Sequence, residues 1–533
     1  MKKWQIASRL DEDIIEHLIQ SRGIILDPPL STPSTLTSLT PAISRIHKAI
    51  RDKESIVVYA DYDADGICAG AIMWETLWKL GARVMPYIPH RVEEGYGLSE
   101  KGIDAVREQF DPALIITVDH GITAWEKVAY AKKLGIEVII TDHHVKPKKL
   151  PDCLIVHTAE TSGSGVSWLV ARALSEEAPI ELAAIGTVAD LLPLTDLNRA
   201  IVKQGMDSIG KTKRVGLKAL IEEAGITKVD TYAISHMLAP RLNAMGRLEH
   251  ALDALRLLCT KDEVKAKLLA EKLGLTNRER QKLTEETVFH ARDLFHKSFQ
   301  SPKQHKKLIF LSHESYNPGI IGLVAGRLVE EFYRPAIVLS IGDGFAKASA
   351  RSIPGFNIVE AIRSCSELLV DVGGHPMAAG FTVETKNIEK LKSKLEKLAE
   401  KELDDEKLTR VLKIDAEITL ELVTEKLWKE LQKLAPFGIG NPEPVFATRG
   451  VKVVDTRLVG KEGKHLKLRI SSPKSPKLPR LLSIDAIAFN FGSLQGQLRE
   501  GMTVDLAYSI DMNVWNGRRS VQLKVKDIRI PKA

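Results

Sequence analysis

Cysteine and aromatic residues are scarce in this chain, and long apolar runs are missing. The four cysteines among 533 residues stand far apart and form no C-x-x-C pair. This argues against a disulfide framework and against a thiolate zinc site. No apolar run reaches the roughly 18 residues that a membrane-spanning helix requires. The start, MKKWQIASRLDEDIIEHL, holds two lysines but no apolar segment, so we predict no signal peptide and a cytoplasmic protein.

Charge is distributed unevenly along the chain. The net charge is +7, but from Val451 to the end 16 Lys and Arg residues stand against 7 Asp and Glu residues. This last part therefore carries +9, which leaves −2 for everything before it. A basic terminal domain behind a nearly neutral body favours a polyanionic partner, although a merely soluble basic surface would show the same count.

From Ser55 onwards, short apolar runs alternate with amphipathic stretches. Runs such as SIVVYA, ALIITV and EVIIT, separated by helical patterns, indicate a parallel sheet. A charge-rich helical region follows, then a second α/β region, and finally short alternating strands that are typical of a small β-barrel. The predicted segments are an N-terminal segment with a linker (1–45), the parallel-sheet domain (46–200), a helical connector (201–300), the second α/β domain (301–400) and the barrel (401–533).

Acidic and histidine residues, whose side chains can bind metal ions, follow three of the predicted strands. One further aspartate stands in a helical pattern. These residues are Asp61, Asp63 and Asp65 in ADYDADG, Asp119 in VDHG, Asp142, His143 and His144 in TDHH, and Asp190 in TVADLLPL. Because parallel strands in register bring their carboxyl ends together, we expect these groups to lie close to one another. The alternate spacing in DYDADG predicts an extended segment with its three carboxylates on one face. A calcium loop or a solvated acidic turn would explain that run alone, but not three acidic strand ends.

Such a cluster is suited to two divalent metal ions. Carboxylates this close repel one another unless a cation lies between them. A mixed set of carboxylates and imidazole suits Mn²⁺ better than Mg²⁺. Two neighbouring ions suit in-line attack on phosphorus, because they lower the pKa of a bound water and stabilise the charge on the attacking and leaving oxygens. These residues therefore indicate a two-metal phosphodiesterase.

The motifs DYDADG, VDHG, TDHH and TVADLLPL resemble, in the same order, those of the DHH phosphoesterase superfamily. RLNAMGR, SARS, GGHPMAAGF and LAPFGIGNPEPVF further resemble the RecJ family of bacterial exonucleases, so the resemblance runs from about Ile56 to Phe446. It implies an α/β fold class: a parallel-sheet DHH domain, a smaller α/β domain of the DHHA1 type joined to it by helices, and a C-terminal OB-like barrel.

The resemblance also implies an activity and partners. The chain would hydrolyse single-stranded DNA in the 5′→3′ direction and release mononucleotides. It would use two ions of Mn²⁺ or Mg²⁺ and act as a monomer in DNA recombination and repair. A single-strand-binding protein and a helicase would be its partners, and no membrane would be involved.

Individual residues take roles from the same resemblance. The catalytic set would be Asp63, Asp65, Asp119, His143, His144 and Asp190, and all of these except His144 would bind the metal ions. Asp61, Asp142 and His144 would either contact the metal ligands or face the substrate. The residues that hold the substrate phosphates would be Arg91, Arg241, Arg247, Ser349, Arg351, Gly374 and His375. Arginine presents a planar fork suited to phosphate oxygens, whereas a tight turn with a surface histidine would explain GGH equally well.

Three other functions stay open at this point. A superfamily member acting on short oligonucleotides or cyclic dinucleotides would usually lack the long connector and the basic tail. A catalytically inactive DNA-binding relative would be expected to have lost ligands. A nucleotide-driven motor rests only on GMDSIGKT (205–212), which matches G-x-x-x-x-G-K-[ST] but follows no buried strand. We expect that stretch to be a helix that ends near Gly210.

The barrel region contains a few aromatic residues that could stack on bases. They are Phe489, Phe491, Tyr508 and Trp515. Barrels of the OB type bind single strands through basic grooves and stacked aromatic side chains. Each of these residues taken alone is more typical of a core.

Overall fold

The structure is a computed structural model that describes residues 2–10, 13–91, 93–297, 306–472, 483–515 and 517–530. The strands are β1 Lys3–Ile6, β2 Ser55–Ala60, β3 Arg83–Tyr87, β4 Leu114–Val118, β5 Glu137–Asp142, β6 Leu154–His157, β7 Ile309–His313, β8 Ala336–Ile341, β9 Phe345–Arg351, β10 Leu369–His375, β11 Ala378–Glu384, β12 Val411–Ile414, β13 Ala416–Glu417, β14 Phe446–Val459, β15 His465–Ser471, β16 Ser483–Ala488, β17 Thr503–Trp515 and β18 Arg518–Arg529.

The helices lie between these strands, except in the region 163–297, where helices follow one another directly. They are α1 Ile14–Arg22, α2 Leu39–Arg51, α3 Ala64–Lys79, α4 Glu100–Phe110, α5 Trp125–Lys133, α6 Gly163–Leu174, α7 Ile180–Ala189, α8 Asp196–Ile209, α9 Val215–Glu223, α10 Thr231–Ala233, α11 Ala239–Leu248, α12 Leu252–Cys259, α13 Glu263–Lys297, α14 Ile321–Phe332, α15 Ile358–Arg363, α16 Ile388–Glu402 and α17 Glu425–Gln432. Among the described residues, no helix is both long and apolar enough to cross a membrane.

The chain forms two compact units. The larger unit consists of Thr32–Asp190 and Gln204–Arg410, and the smaller unit consists of Met1–Ser31, Leu191–Lys203 and Val411–Ala533. Together they contain the predicted parallel sheet, second α/β sheet and barrel, so the predicted fold class is confirmed. The predicted segment boundaries stay predictions.

A parallel sheet in the order β3-β2-β4-β5-β6 forms the first half of the larger unit. Strands β2 and β4 are buried along almost their whole length, which explains their unbroken apolar sequences. Helix α3 follows β2 and packs against α6 and α7. All five strands point the same way, so the residues at their carboxyl ends meet at one edge.

The predicted extended form of DYDADG is wrong beyond its first residues, because the chain turns into α3 directly after Asp63. Asp63 is the N-cap residue of α3, and its side chain accepts hydrogen bonds from the backbone amides of Asp65 and Gly66, both at 3.0 Å. Asp65 lies in the first helical turn. A carboxylate accepts hydrogen bonds from the free amides of a helix N-terminus and interacts favourably with the helix dipole. These interactions favour the helical start over an extended segment.

The stretch 205–212 is not a phosphate-binding loop. Its first half belongs to helix α8, which ends at Ile209 as predicted. No strand precedes it, since α7 and α8 are consecutive elements. The motif therefore lacks the strand–loop–helix setting that such a site requires.

A second sheet forms the other half of the larger unit, in the order β10-β11-β9-β8-β7. Strands β7 and β8 are parallel, and the other neighbours are antiparallel. Its core includes Phe310, Ile337 and Phe381, together with residues of α15 and α16. The long helix α13 precedes this sheet in the chain and contacts α9, α11 and α14.

The smaller unit contains a closed barrel. Its strands follow the order β14-β15-β16-β18-β17, and β17 pairs again with β14. Leu18 of α1 lies in the barrel core, and β1 pairs in parallel with β12. Arg199, only 1% exposed, donates hydrogen bonds to the backbone carbonyls of Leu26, Leu434 and Ala435. Segments far apart in the chain therefore build this unit together.

The aromatic residues of the barrel differ in their surroundings. Tyr508 is fully buried, with its hydroxyl 2.7 Å from Thr448 Oγ1, so it is a core residue and not a stacking surface. Phe491 packs partly buried against the same core. Phe489 is 51% exposed and lies edge-on to His465. The side chain of Trp515 lies outside the described part of the structure.

Candidate metal centre

Carboxylates and histidines converge at the carboxyl edge of the parallel sheet. Asp61 and Asp119 directly follow β2 and β4, Asp142 ends β5, and Asp190 is the C-cap residue of α7. Ligand atoms lie within 4.8 Å of one another in three groups: Asp119, His143 and His144; Asp65, His143 and Asp190; and Asp61, Asp63 and Asp119. The expected proximity of these residues is therefore observed, and Asp61 stands as close to the cluster as the predicted ligands.

Asp65 is held in place by the N-terminus of another helix. Its Oδ2 accepts a hydrogen bond from the Gly163 amide at 2.7 Å, and its Oδ1 accepts one from the Ser164 amide at 3.0 Å. These are the first amides of α6, where the helix dipole favours a negative charge. This support was not predicted from the sequence, although Ser162 followed by two small residues is a typical start of a helix.

Two glycines leave room for the cluster. A Cβ atom at Gly163 would lie 2.1 Å from Asp119 Oδ1, and one at Gly186 would lie 2.2 Å from Asp65 Oδ1. Neither position tolerates a side chain unless a carboxylate moves. The backbones of α6 and α7 thus form the wall against which the carboxylates pack.

Asp119 is buried in an unusual conformation. It is 3% exposed and has φ at +67°, a left-handed value that is uncommon for a residue with a side chain. His143 Nε2 lies 3.2 Å from its Oδ1, yet the oxygen has no hydrogen bond of good geometry. Burial, together with the charges of Asp65 and Asp63, raises the pKa of Asp119 well above its usual value. A buried carboxylate oxygen that accepts no hydrogen bond fits a ligand of a metal ion.

Burial and like charges also raise the pKa of two neighbouring carboxylates. Burial and then the charge of Asp63 raise the pKa of Asp61 well above its usual value. Burial, with Asp65 and Asp63, raises the pKa of Asp190 to about 8. Burial lowers the pKa of His143, which keeps its imidazole neutral and able to bind metal. The donor set therefore fits divalent cations, whose charge would offset the repulsion.

Asp142 and His144 form a pair at the side of this cluster. Asp142 Oδ1 lies 2.7 Å from His144 Nδ1, and its Oδ2 accepts a hydrogen bond from the Ile122 amide. Burial alone would raise the pKa of Asp142, but these hydrogen bonds outweigh it and lower the pKa. Burial likewise opposes protonation of His144, yet Asp142 raises its pKa to about 9. Both oxygens of Asp142 are engaged, so this residue orients His144.

A basic cavity of about 290 Å³ lies in the same unit. The cationic side chains that line it are Arg91, Arg247, Lys347 and Arg351, and Asp371 is the one acidic side chain that lines it among the described residues. Arg247 donates a hydrogen bond to the Gly319 carbonyl at 3.0 Å. Burial, and then the charges of Arg91, Arg280 and Arg351, lower the pKa of Arg247 to about 10. Like charges held this close favour a bound anion.

The structure does not bring every predicted phosphate-binding residue to this cavity. Ser349 lines it and accepts a hydrogen bond from Arg351 at 3.3 Å. Arg241 instead pairs with Glu223 at 2.6 Å. Gly374 and His375 lie exposed at the end of β10, outside the cavity lining.

Gly374 has a structural reason of its own. Its φ is +132°, and a Cβ atom there would lie 2.4 Å from the Ala378 carbonyl oxygen. This glycine is thus required by the β10–β11 hairpin. Its binding role, and those of Arg241 and His375, stay predictions.

Lys347 was missed by the sequence analysis, although a signal was present. In β9, residues 347, 349 and 351 alternate with buried alanines and so share one face of the strand. Asn243 was also missed: its side-chain oxygen accepts a hydrogen bond from the Ala64 amide at 2.8 Å and so helps to fix the start of α3. It lies in RLNAMGR, which was interpreted only for its arginines.

Three family models match the chain. They are the DHH family, N-terminal domain, at residues 55–194; the DHHA1 domain, at 305–401; and the RecJ OB domain, at 414–527. The three matches follow the order of the two sheets and the barrel.

Proteins named single-stranded-DNA-specific exonuclease RecJ are similar over nearly the whole chain. The Bacillus subtilis protein is 38% identical over 95% of this chain, which spans 65% of that relative's own length. The Thermus thermophilus protein is 36% identical over 95% of this chain and 73% of its own length. The Dickeya dadantii protein is 32% identical over 92% of this chain and 90% of its own length.

Solved structures with the same name are similar as well. RecJ of Thermus thermophilus in complex with Mn²⁺ matches with a TM-score of 0.85 and 31% identity, over 100% of this chain and 80% of that one. The same protein in complex with Mg²⁺ matches with a TM-score of 0.78 and 30% identity, over 100% of this chain and 79% of that one.

Proposed function

The chain belongs to the RecJ family, and on this basis we propose that it is a single-stranded-DNA-specific exonuclease. It would hydrolyse phosphodiesters in the 5′→3′ direction and release mononucleotides. The observation that carries this proposal is the buried cluster around Asp119. Its carboxylate oxygens and a neutral imidazole lie close enough together to bind the same metal ion. Relatives that match more than 90% of this chain are named for this activity.

Metal ions have a defined place in this proposal. Asp63, Asp65, Asp119, His143 and Asp190 would hold two ions of Mn²⁺ or Mg²⁺, and Asp61 is near enough to contribute. When bound, the ions would supply Lewis-acid activation of water and charge stabilisation at the phosphoryl group. Family members have been solved with each of these two metals.

The chain's own side chains have separate tasks. His144, with its pKa raised to about 9, holds a proton at neutral pH. Its Nδ1 is engaged by Asp142, so Nε2 is the nitrogen that can donate to a phosphate oxygen. The Tyr96 hydroxyl lies 3.4 Å from that nitrogen, so a phosphate oxygen would share or replace this contact. The pair Asp142–His144 would thus orient the scissile phosphate.

The basic cavity would bind phosphates of the strand. Arg91, Arg247 and Arg351 crowd together there with Lys347, and an arginine fork can make two parallel hydrogen bonds to phosphate. In the barrel, the excess of basic residues would track the backbone, and Phe489 would stack on a base. A basic surface with exposed aromatic groups binds single strands with little sequence preference.

The remaining functional properties are proposed from the family resemblance. They comprise a cytoplasmic location, a monomeric state, cooperation with a single-strand-binding protein and a helicase, and a part in DNA recombination and repair. The two alternatives within the superfamily are not favoured. The match to the RecJ OB domain speaks against a small-substrate enzyme, and the intact cluster speaks against an inactive relative.

One experiment tests the activity directly. The purified protein is incubated with Mn²⁺ and 5′-phosphorylated single-stranded DNA, without ATP, beside a blunt duplex and an Asp119→Ala variant. We expect mononucleotides from the 5′ end of the single strand only, and none from the variant. Binding without cleavage, or cleavage of dinucleotides alone, would rule out the exonuclease.

A further inference from the structure

A second basic cavity lies away from the metal centre, in the larger unit. Its volume is about 470 Å³, and it lies among the ends of α8, α12 and α3 and the start of α9. Glu75 lines it, ten positions after Asp65 in α3. At about 1.5 Å per helical residue, the two positions are roughly 15 Å apart. This accessory cavity is therefore separate from the carboxylate cluster.

Three exposed lysines line the accessory cavity: Lys211, Lys213 and Lys261. None of the three forms an ion pair within the described ranges. The ammonium group of Lys261 instead lies 4.7 Å from the centre of the Trp78 ring. The ammonium groups of Lys211 and Lys213 are therefore available to an anion from outside, and that of Lys261 would have to leave the ring to join them.

The acidic residues of the accessory cavity are already neutralised. Arg214, with its side chain 11% exposed, lies 2.7 Å from Glu75 and 3.3 Å from Glu181. It also donates a hydrogen bond to the Leu258 carbonyl at 2.7 Å. Glu75 also pairs with Lys79 at 3.2 Å, so Arg214 and Lys79 together balance the two carboxylates, and the three lysines add positive charge that no acidic side chain of the cavity balances.

Backbone amides add to this charge. Helix α9 begins at Val215, which lines the cavity, and no side chain caps its N-terminus. The first amides of a helix lack partners within the helix and are suited to bind anions. Thr212 and Thr260 also line the cavity, and their hydroxyl groups can donate to phosphate oxygens.

We propose that the accessory cavity binds the phosphate group of a nucleotide. Lys211, Lys213 and Lys261 would bind its oxygens. Trp78 is 48% exposed, and the ring face that the Lys261 ammonium group covers would become free for the base when that group binds phosphate. Lys211 and Thr212 are the last two residues of GMDSIGKT (205–212). In this proposal they would bind phosphate in a cavity between helices and not in a strand–loop–helix site. The nucleotide would be either a free mononucleotide or a unit of a single strand.

The test is a binding measurement that needs no exonuclease activity. Titration calorimetry in EDTA uses dAMP, inorganic phosphate and unphosphorylated (dT)20 as probes. Every protein carries Arg351→Ala, which weakens the first basic cavity. The test variant adds Lys211→Ala, Lys213→Ala and Lys261→Ala. The matched control adds Lys101→Ala, Lys228→Ala and Lys267→Ala, which remove the same charge from exposed positions elsewhere.

For a free nucleotide, we expect the dAMP dissociation constant to rise at least tenfold in the test variant and to stay unchanged in the control. In the parent protein dAMP should bind at least fivefold more tightly than inorganic phosphate, because the base contributes. For a strand, the (dT)20 dissociation constant should rise in the test variant and its dependence on salt should become less steep. Equal losses in both variants, or no loss in either, would overturn the site. Equal affinity of the parent for dAMP and phosphate, with (dT)20 unaffected, would overturn its assignment to a nucleotide.

Discussion

The imidazole Nε2 of His143 lies 3.2 Å from Asp119 Oδ1, a buried oxygen with no hydrogen bond of good geometry. Both groups are desolvated, and burial opposes the charge on each of them. Such a contact is poorly stabilised without a cation nearby.

Divalent metal ions should stabilise the protein against heat. Mn²⁺ would offset the repulsion around Asp119, and a ligand at 100 times its dissociation constant stabilises the folded state by about 2.7 kcal/mol. Differential scanning calorimetry with and without EDTA should show a higher Tm with Mn²⁺, and Asp119→Asn should lose most of the rise. The exposed Glu108→Gln change is the control. An equal rise in Asp119→Asn would place the ions elsewhere.

Gly163→Ala should disable the cluster while leaving the fold intact. The new Cβ would lie 2.1 Å from Asp119 Oδ1, so the carboxylate must move, and misplacement by about 1 Å can cost roughly 100-fold in rate. We expect at least that loss in exonuclease rate, with an unchanged far-UV circular dichroism spectrum. Gly326→Ala is the matched control in a helix, because nothing lies within 4 Å of a Cβ there. Full activity of Gly163→Ala would refute the tight packing of this wall.

Arg351→Gln should weaken binding of single-stranded DNA. Arg351 is one of the cations that line the first basic cavity, and removal of one phosphate contact lowers the salt slope of binding by about 1. Fluorescence anisotropy at several salt concentrations measures both quantities. Arg363→Gln, also in the second α/β domain but exposed, should leave the slope unchanged. The cavity would have no part in DNA binding if the two variants behaved alike.

Arg199→Met should strongly destabilise the smaller unit. The guanidinium donates to three backbone carbonyls, and each buried carbonyl left without a donor costs about 1–3 kcal/mol. Urea unfolding should show this loss. Arg9→Met should change the free energy of unfolding by no more than about 0.5 kcal/mol. The side chain of Arg9 is 71% exposed, and its ion pair with Glu417 is long, at 4.0 Å. A small effect of Arg199→Met would show that solvent satisfies those carbonyls.

Two aromatic residues of the barrel should respond in opposite ways. Phe489→Ala should lower single-strand affinity by about 1–3 kcal/mol, the usual worth of a stacked base, and leave unfolding unchanged. Tyr508→Phe should cost about 1 kcal/mol of stability, because it removes the hydrogen bond with Thr448, and leave DNA affinity unchanged. Anisotropy and urea unfolding on both variants separate the two roles. A loss of affinity in Tyr508→Phe alone would reverse the assignment.

Much of the metal centre could be predicted from sequence, because the position of a residue at a strand end is local information. Asp119 and Asp142 stand directly after apolar runs, and the parallel sheet then brings them together. The path of Asp63 and Asp65 could not be obtained this way, because the alternate spacing of an extended segment also fits an N-cap residue followed by a helical turn. The support of Asp65 by Gly163 depends on a contact across 98 positions.

The phosphate-binding residues show a similar limit. Arg247 and Arg351 stand in recognisable motifs, but nothing local reveals that Arg241 pairs with Glu223 of another helix. His375 stands in an equally recognisable motif, yet it is the exposed last residue of β10. Side-chain pairing across helices depends on tertiary packing, and a motif carries no record of it.

Strand β1 pairs with β12, more than 400 positions later, and this has a consequence for synthesis on the ribosome. Domains generally fold in the order in which they emerge. The first strand would leave the exit tunnel long before its partner is translated, whereas the parallel sheet has all its strands by residue 157. Nascent chains would therefore carry a folded parallel sheet while β1 is still unpaired. Premature termination before the barrel would leave β1 without its partner and open to aggregation.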